Sequence, residues 1–418
     1  MKFVLTTIGS AGDVFPMIGL ARTLQERGHQ VLLATNGAFK SVTERNGIPF
    51  EPLGTAEDYH RCIASPDLWH PTRSFQHVFQ FFRGTLQRQF EILKAHAESG
   101  PVVGLSSCLC FGSRIAQEAL DIPVLTVHLQ PSVIWSDLEP PVVAGLSGPR
   151  WFKSVMFRLG EKLAVDRVVC PELNQWRAEL SLPPVRRITR WWNSPTGVLC
   201  LFPDWYAAPQ SDWPQPLIQT GFPLWNDQSE TKSGTGLPDN LKQFLDSGTP
   251  PIAFTPGTAN RHGRAFFQTA MQVCQMLNRR ALFLTRYTEQ LPVTLPEGIL
   301  QVEYAPLDLL LPRCAAFVHH GGIGSTSQAF LAGVPQIAMP LAHDQFDNAA
   351  RITSLNAGRS LAATSFKPPV LTRLLKDILT SPRVTAACKS LQEKVAARNA
   401  LHESVDAIER RIGIADIR

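Results

Sequence analysis

Apolar positions in this chain come as short unbroken runs rather than strict alternation, and most runs are followed by a small-residue or acidic turn and then by helical composition. In the first half the runs are Lys2–Ile8, Gln30–Thr35, a third entered through Gly47-Ile48-Pro49-Phe50, Val102–Ser107, Pro123–His128, Gly197–Phe202 and Pro216–Gln219. In the second half they are Pro251–Phe254, Ala281–Thr285, Leu300–Val302, Ala315–Val318 and Gln336–Pro340. Continuous apolar runs bounded by turns read as strands buried on both faces, as in parallel sheets. The stretches between them include Met17–Arg27, ended by Gly28, then Ala38–Arg45, and finally three helical segments from about Pro369 to Ile412. Strand, turn and helix in regular succession predict an α/β fold. Asn226–Leu237, rich in Ser, Thr, Gly and Asp, breaks the succession and reads as a linker. The expected division is a first domain over 1–225, a linker over 226–240, a second domain over 241–395 and a terminal helix over 396–418.

Two stretches depart from the pattern. Leu68 through Phe82 carries Trp69, Phe75, Phe79, Phe81 and Phe82 where a plain connection is expected. Such a stripe is either core or the wall of an apolar pocket, and Phe79 and Phe82 are the pocket candidates. Pro131–Arg190 interleaves Trp135, Trp151, Phe152 and Phe157 with Lys153, Arg158, Lys162 and Arg167. That insert either packs its aromatics inward or uses them, Trp135 among them, to cover a cleft or touch a membrane surface.

The densest chemistry lies at Val318-His319-His320-Gly321-Gly322-Ile323-Gly324-Ser325-Thr326-Ser327-Gln328, a strand running through a glycine turn into a helix. Glycines let backbone N–H groups approach a ligand, and a helix start there leaves its first amides free for an anion. The histidines add donors that can carry positive charge, which suits a diphosphate; the plainer alternative is a capped strand-to-helix turn. Gln336–Pro340 then leads to Asp344 and Gln345 at the end of the neighbouring strand, where paired carboxylate and amide groups can read sugar hydroxyls.

The first strand ends in Gly9-Ser10-Ala11-Gly12-Asp13-Val14. A dinucleotide reading fails, since the third glycine of the fingerprint is missing and Asp13 would repel a pyrophosphate. Asp13 either caps a helix or stands as a general base at a strand end, with Gly12 beside it on the acceptor side.

His-His-Gly-Gly-x-Gly-Ser-Thr, Ala-Gly-Val-Pro and Asp-Gln with an Asn three residues on resemble the donor signature of glycosyltransferase family 1. That resemblance implies the GT-B architecture: two Rossmann-like domains whose parallel sheets face across a cleft, with the last helix crossing back to the first domain. It implies that His320 and Ser325, in the turn with Gly322 and Gly324, hold a diphosphate, that Asp344 and Gln345 hold the sugar, and that Gly257 and Thr258 face the donor. Tyr304 would stack on the base. Arg286 ends its strand facing phosphate, base or solvent. Plant members carry Glu at Gln328 and Gln at Leu307, so the choice of uridine or thymidine donor stays open. The resemblance also places Asp13 beside the acceptor hydroxyl. Leu201-Phe202-Pro203-Asp204-Trp205 and Thr220-Gly221-Phe222-Pro223 are similar to bacterial lipid-directed members, the rhamnosyltransferase of rhamnolipid synthesis above all, and more loosely to sterol glucosyltransferases.

The implied activity is inverting transfer of rhamnose from dTDP-rhamnose, or glucose from UDP-glucose, to a hydroxylated lipid such as a 3-hydroxy fatty acid dimer. Sterol or polyketide aglycones, a nucleotide-sugar epimerase and a non-catalytic subunit are the alternatives. No Asp-x-Asp occurs in the chain, and transfer without a metal or other cofactor is expected. A net charge of +5 with no Lys/Arg run argues against nucleic acid. The apolar start, Met1–Leu5, is too short for a signal peptide, and no run reaches the ~20 apolar residues of a membrane span, so a cytoplasmic protein is expected, with a contact on the inner membrane face left open. The eight cysteines show no ligand spacing and read as buried free thiols.

Overall fold

The computed structural model describes residues 1–70, 73–225 and 236–414. It divides into two compact units, Met1–Trp225 with Asn399–Arg418, and Asn226–Arg398.

Seven strands form the sheet of the first unit: β1 Lys2–Thr6, β2 Gln30–Thr35, β3 Phe50–Pro52, β4 Val102–Ser107, β5 Val124–His128, β6 Val198–Cys200 and β7 Leu217–Gln219. Their order is β3-β2-β1-β4-β5-β6-β7, and every recorded pairing is parallel. The second unit holds β8 Ile252–Thr255, β9 Ala281–Leu284, β10 Ile299–Val302, β11 Ala316–His319, β12 Gln336–Ala338 and β13 Gly358–Ser360 in the order β10-β9-β8-β11-β12-β13, again parallel. The apolar runs had marked twelve of these strands. Gly358-Arg359-Ser360 escaped because an edge strand with an arginine at its centre has no apolar run to show. Both sheets reverse direction of winding once, between β1 and β4 in the first and between β8 and β11 in the second, and ligands of open α/β sheets bind outside the strand ends at such points.

The first helix runs over Ala11–Glu26, not from Met17 as the composition suggested. Ser10 and Asp13 start it ahead of Pro16, so Pro16 lies inside the helix and Asp13 in its first turn. The aromatic stripe resolves as core: Phe82 is fully buried and Phe79 is 3% exposed, and their rings meet edge to face with each other and, through Phe82, with Phe111. Neither side chain has surface left to offer an acceptor, which corrects the pocket reading for both.

Residues 226–235 of the expected linker lie outside the described residues. Its remaining part is not a spacer: Leu237 is buried with Leu241 and Leu245 against the second sheet, and the helix Asp239–Asp246 begins there. At the other end the helix Ala400–Arg411 packs on the first helix. Arg27 reaches Asp406 and Glu409, His29 Nε2 lies 2.8 Å from Glu409 Oε1, and Thr220 Oγ1 is 2.9 Å from Ser404 Oγ. All eight cysteines are free thiols, six of them buried. No helix of the described residues is long and apolar enough to cross a membrane.

Candidate functional site

In the second unit, β11 ends at His319 and the helix Ile323–Ala332 begins after Gly322, the N-cap residue, which has no side chain to cap it. The first amides of that helix are therefore free of any side-chain partner and point out of the strand end, as an anion requires. The three hydroxyls that follow divide their work. Thr326 Oγ1 donates to the Gly322 carbonyl and Ser327 Oγ to that of Gly324, while Ser325 Oγ makes no hydrogen bond among the described residues. Ser325 is the hydroxyl available to a ligand.

The two histidines have separate roles. His319 is buried in the sheet: its Nδ1 accepts from Gly321 N at 3.1 Å, which leaves Nε2 to donate to Gln336 Oε1 at 3.0 Å. Burial, with His320 beside it, pushes its pKa down to about 3. His320 stands in the turn, and burial lowers its pKa to about 4. With both values below physiological pH the rings are neutral, so of the two ways open to them, cation or neutral hydrogen-bonding group, the second holds in the ligand-free protein. The low dielectric around the ring disfavours the cation more than any neighbour favours it. His320 Nδ1 is buried with no hydrogen-bond partner, an atom that costs about 1–3 kcal/mol left unsatisfied.

Two glycines make room for that ring. Gly257, in the turn after β8, has φ +100, and a Cβ on it would stand 2.9 Å from His320 Cε1. A Cβ on Gly322 would stand 2.5 Å from His320 Nε2. The turns following β8 and β11 thus meet at the switch point of this sheet, with Gly257 against His320. Thr258, next in the β8 turn, is exposed. The turn is held from below by Gln290, which sequence reasoning missed: its Oε1 accepts from Gly263 N at 2.8 Å and its Nε2 donates to Asn260 O at 2.8 Å.

Asp344 is the N-cap of the helix Gln345–Ser354 after β12. Gln345 is buried, and its Oε1 accepts from Leu341 N at 2.8 Å and Ala342 N at 3.2 Å. Its Nε2 end makes no recorded hydrogen bond among the described residues. Asn348, quoted in the motif but given no role there, carries the joint: its Nδ2 donates to Gly321 O at 2.9 Å and to Asp344 Oδ2 at 2.7 Å. One buried amide fixes the turn after β11 against the turn after β12. Gln328 lies buried in the second turn of its helix. At the ends of β9 and β10, Arg286 sits with its guanidinium carbon 5.7 Å from the Tyr304 ring centroid, a cation–π pair.

The first unit repeats the strand–turn–helix arrangement with the opposite electrostatics. Ser10 caps the first helix, and Asp13 Oδ2 accepts from Ser10 N at 2.8 Å and Ser10 Oγ at 3.2 Å, a reciprocal capping box. Gly9 has φ +143, and a Cβ there would overlap the carboxylate. Burial pushes the Asp13 carboxyl above the usual carboxylate range, against the two Ser10 bonds that lower it. The capping reading of Asp13 is therefore what the hydrogen bonds show: Oδ2 serves the helix start, and the partly buried carboxylate stands at the end of β1. Gly12 is exposed beside it, and Trp135 is half-buried with its ring 5.2 Å from Phe157.

Residues 3–135 match the glycosyltransferase family 28 N-terminal domain, and residues 282–410 match the C-terminal domain of erythromycin biosynthesis protein CIII-like proteins. The O-mycaminosyltylonolide 6-deoxyallosyltransferase of Streptomyces fradiae is 27% identical over 98% of this chain and 97% of its own length. A sterol 3-beta-glucosyltransferase of Aspergillus fumigatus is 25% identical over 99% of this chain, which spans only 30% of that longer protein. Among solved structures, the kitacinnamycin glycotransferase superposes with a TM-score of 0.75 at 19% identity, covering 98% of each chain. The spinosyn rhamnosyltransferase SpnG, complexed with thymidine diphosphate, gives 0.69 at 19% identity over 98% of this chain and all of its own.

The fold is that of the GT-B glycosyltransferases, two parallel-sheet Rossmann-like domains. The chain is a nucleotide-sugar-dependent glycosyltransferase, similar at one end to the family 28 N-terminal domain, at the other to the erythromycin CIII-like C-terminal domain, and over its length to sterol glucosyltransferases.

Proposed function

We propose that this enzyme transfers a deoxyhexose from a thymidine diphosphate sugar to a hydroxyl of a small apolar acceptor, with inversion at the sugar. The observation that carries the donor half is the buried, unpartnered Nδ1 of His320 beside a helix start with no side-chain cap. A diphosphate oxygen supplies the missing partner to the histidine and to the free amides, and Ser325 Oγ adds a third donor. The Asp344 carboxylate and Gln345 Nε2, fixed to the same turn through Asn348, read the sugar hydroxyls. Tyr304, with Arg286 on its ring, receives the base. Gly257 and Thr258 border the phosphates.

Asp13 is the base. Its carboxylate takes the acceptor proton as the acceptor oxygen attacks the anomeric carbon; the bond from that carbon to the diphosphate breaks, and its electron pair leaves on the phosphate oxygen. A carboxyl made more basic by burial is better matched to this task than a solvated one. The leaving charge is met by backbone amides and neutral donors, so no metal ion enters the scheme.

The thymidine choice is supported by solved structures of the same fold that hold that nucleotide, SpnG and VinC. For the acceptor, a polyketide or sterol-like aglycone is supported by the names of the similar proteins. Rhamnose transfer to a hydroxy fatty acid dimer is the second reading, favoured by the lipid-directed motif at Leu201–Trp205. Calorimetry with thymidine and uridine diphosphates, followed by mass spectrometry of products from macrolide, sterol and hydroxyacyl acceptors, tests both halves. Thymidine diphosphate binding tenfold or more tighter than uridine diphosphate, with a glycosylated product, is expected. Sugar conversion without acceptor would make the chain an epimerase, and binding without turnover a carrier.

A further inference from the structure

The insert between β5 and β6 is not used by the donor or the base. Its helix Arg150–Gly160 continues through a π-helical turn, Glu161–Asp166, into the helix Arg167–Glu179. None of the 11 residues of its first part is buried. That part is held to the first unit by one ring and a few polar bonds. Phe157 meets Trp135, Ser154 Oγ donates to Asp137 O, and Arg158 clasps the Asp137 carboxylate through Nε at 3.0 Å and Nη2 at 2.8 Å.

The opposite face is apolar and open. Trp151 is 69% exposed, Val155 56% and Leu163 54%, with Phe152, Met156 and Leu159 exposed beside them. At about 100° per residue these six fall within an arc of roughly 140°. Leu138, Val142 and Val143 of the preceding loop are exposed as well. Lys153, Lys162 and Arg167 make no ion pair among the described residues. The two acids between Arg150 and Arg167 are turned inward: Glu161 is buried and accepts from Arg187 and Thr189, and Asp166 accepts from Ile188 N at 2.9 Å. The charge left open to solvent along this span is therefore positive.

We infer that this face docks on an anionic lipid bilayer. Trp, Phe, Met and Leu on one arc, flanked by free cations, is the pattern of a helix that lies in the headgroup region with its apolar side down. A second copy of the chain fits less well. Two-fold pairing would bring Lys153, Lys162 and Arg167 against the same cations of the partner, with neither acid of the span turned out to meet them.

Co-sedimentation of the full chain with vesicles of phosphatidylglycerol and phosphatidylcholine, against phosphatidylcholine alone, tests the inference. At least tenfold stronger binding to the anionic vesicles is expected, weakening with salt. W151S/V155S/L163S should lower binding to both vesicles tenfold or more. K153Q/K162Q/R167Q should abolish the preference for the anionic ones. All six positions are at least partly exposed, so circular dichroism and thymidine diphosphate affinity should stay at wild-type values. Absence of binding to anionic vesicles, or binding untouched by either variant, overturns the inference. So does a dimer in light scattering that W151S/V155S/L163S converts to monomer, which would assign the face to a second copy.

Discussion

The turns after β1 and β11 are built alike and charged oppositely. Each follows the strand that borders its sheet's switch point, and each opens a helix. In the first unit Ser10 and Asp13 close the helix start with a capping box, so a carboxylate occupies the place where an anion would bind. In the second unit Gly322 leaves the start bare, and His320 beside it is neutral and lacks a partner at Nδ1. In the proposed scheme one strand–turn–helix unit serves two tasks, and the residue at the cap decides which. The filled helix start would supply the base, and the empty one would accept the leaving group.

Breaking the filled start should have the largest effect. Asp13→Asn keeps a hydrogen-bond acceptor for Ser10 but removes the proton acceptor; turnover should fall by about 10²–10⁴, with thymidine diphosphate affinity unchanged by calorimetry. A loss of less than about tenfold would remove Asp13 from the mechanism. The pH profile sharpens the same point. The Asp13 carboxyl is raised by burial, so the active carboxylate is present above that raised value and lost as pH falls through it. The acid limb of kcat/KM should lie above the ordinary Asp value of about 3.9.

Filling the empty start is the converse. A Cβ on Gly324 meets nothing within 4 Å, so Gly324→Asp is sterically free. It should leave the helix slightly more stable, by about 0.3–1 kcal/mol from the dipole, while weakening thymidine diphosphate by roughly 100-fold through like-charge repulsion. Unchanged affinity would place the diphosphate elsewhere.

Gly257→Ala should act more mildly. The new methyl meets the His320 ring at a backbone angle that disfavours side chains, so affinity should drop about tenfold, on the order of 1.4 kcal/mol. His320→Ala should cost the same affinity and remove the effect of the Gly257 change in a double-mutant cycle. Smallest is Ser10→Ala, which removes a cap worth about 1 kcal/mol and should lower the thermal midpoint of the first unit by a few degrees at most.

Much of this was legible in the order of residues. The strand runs, the glycine turn and the position of Asp13 follow from apolar runs and turn chemistry, because a buried parallel strand must be apolar throughout and a helix start must dispose of its amides locally. The pocket assignment of Phe79 and Phe82 did not survive, since periodicity reports that a face is apolar without saying what covers it. Trp151 and Leu163 show the same limit from the other side: they are apolar and nothing described covers them.

By itself the sequence determined two α/β units, a glycine-opened helix start near residue 323 and an acid-closed one near residue 11, all set by neighbours a few positions apart. Only the tertiary structure decided that His320 is neutral, that Gln345 spends its oxygen on its own turn, and that Asn348 joins two turns 27 residues apart. Burial and hydrogen-bond partners depend on which distant segments meet, and no local pattern encodes them.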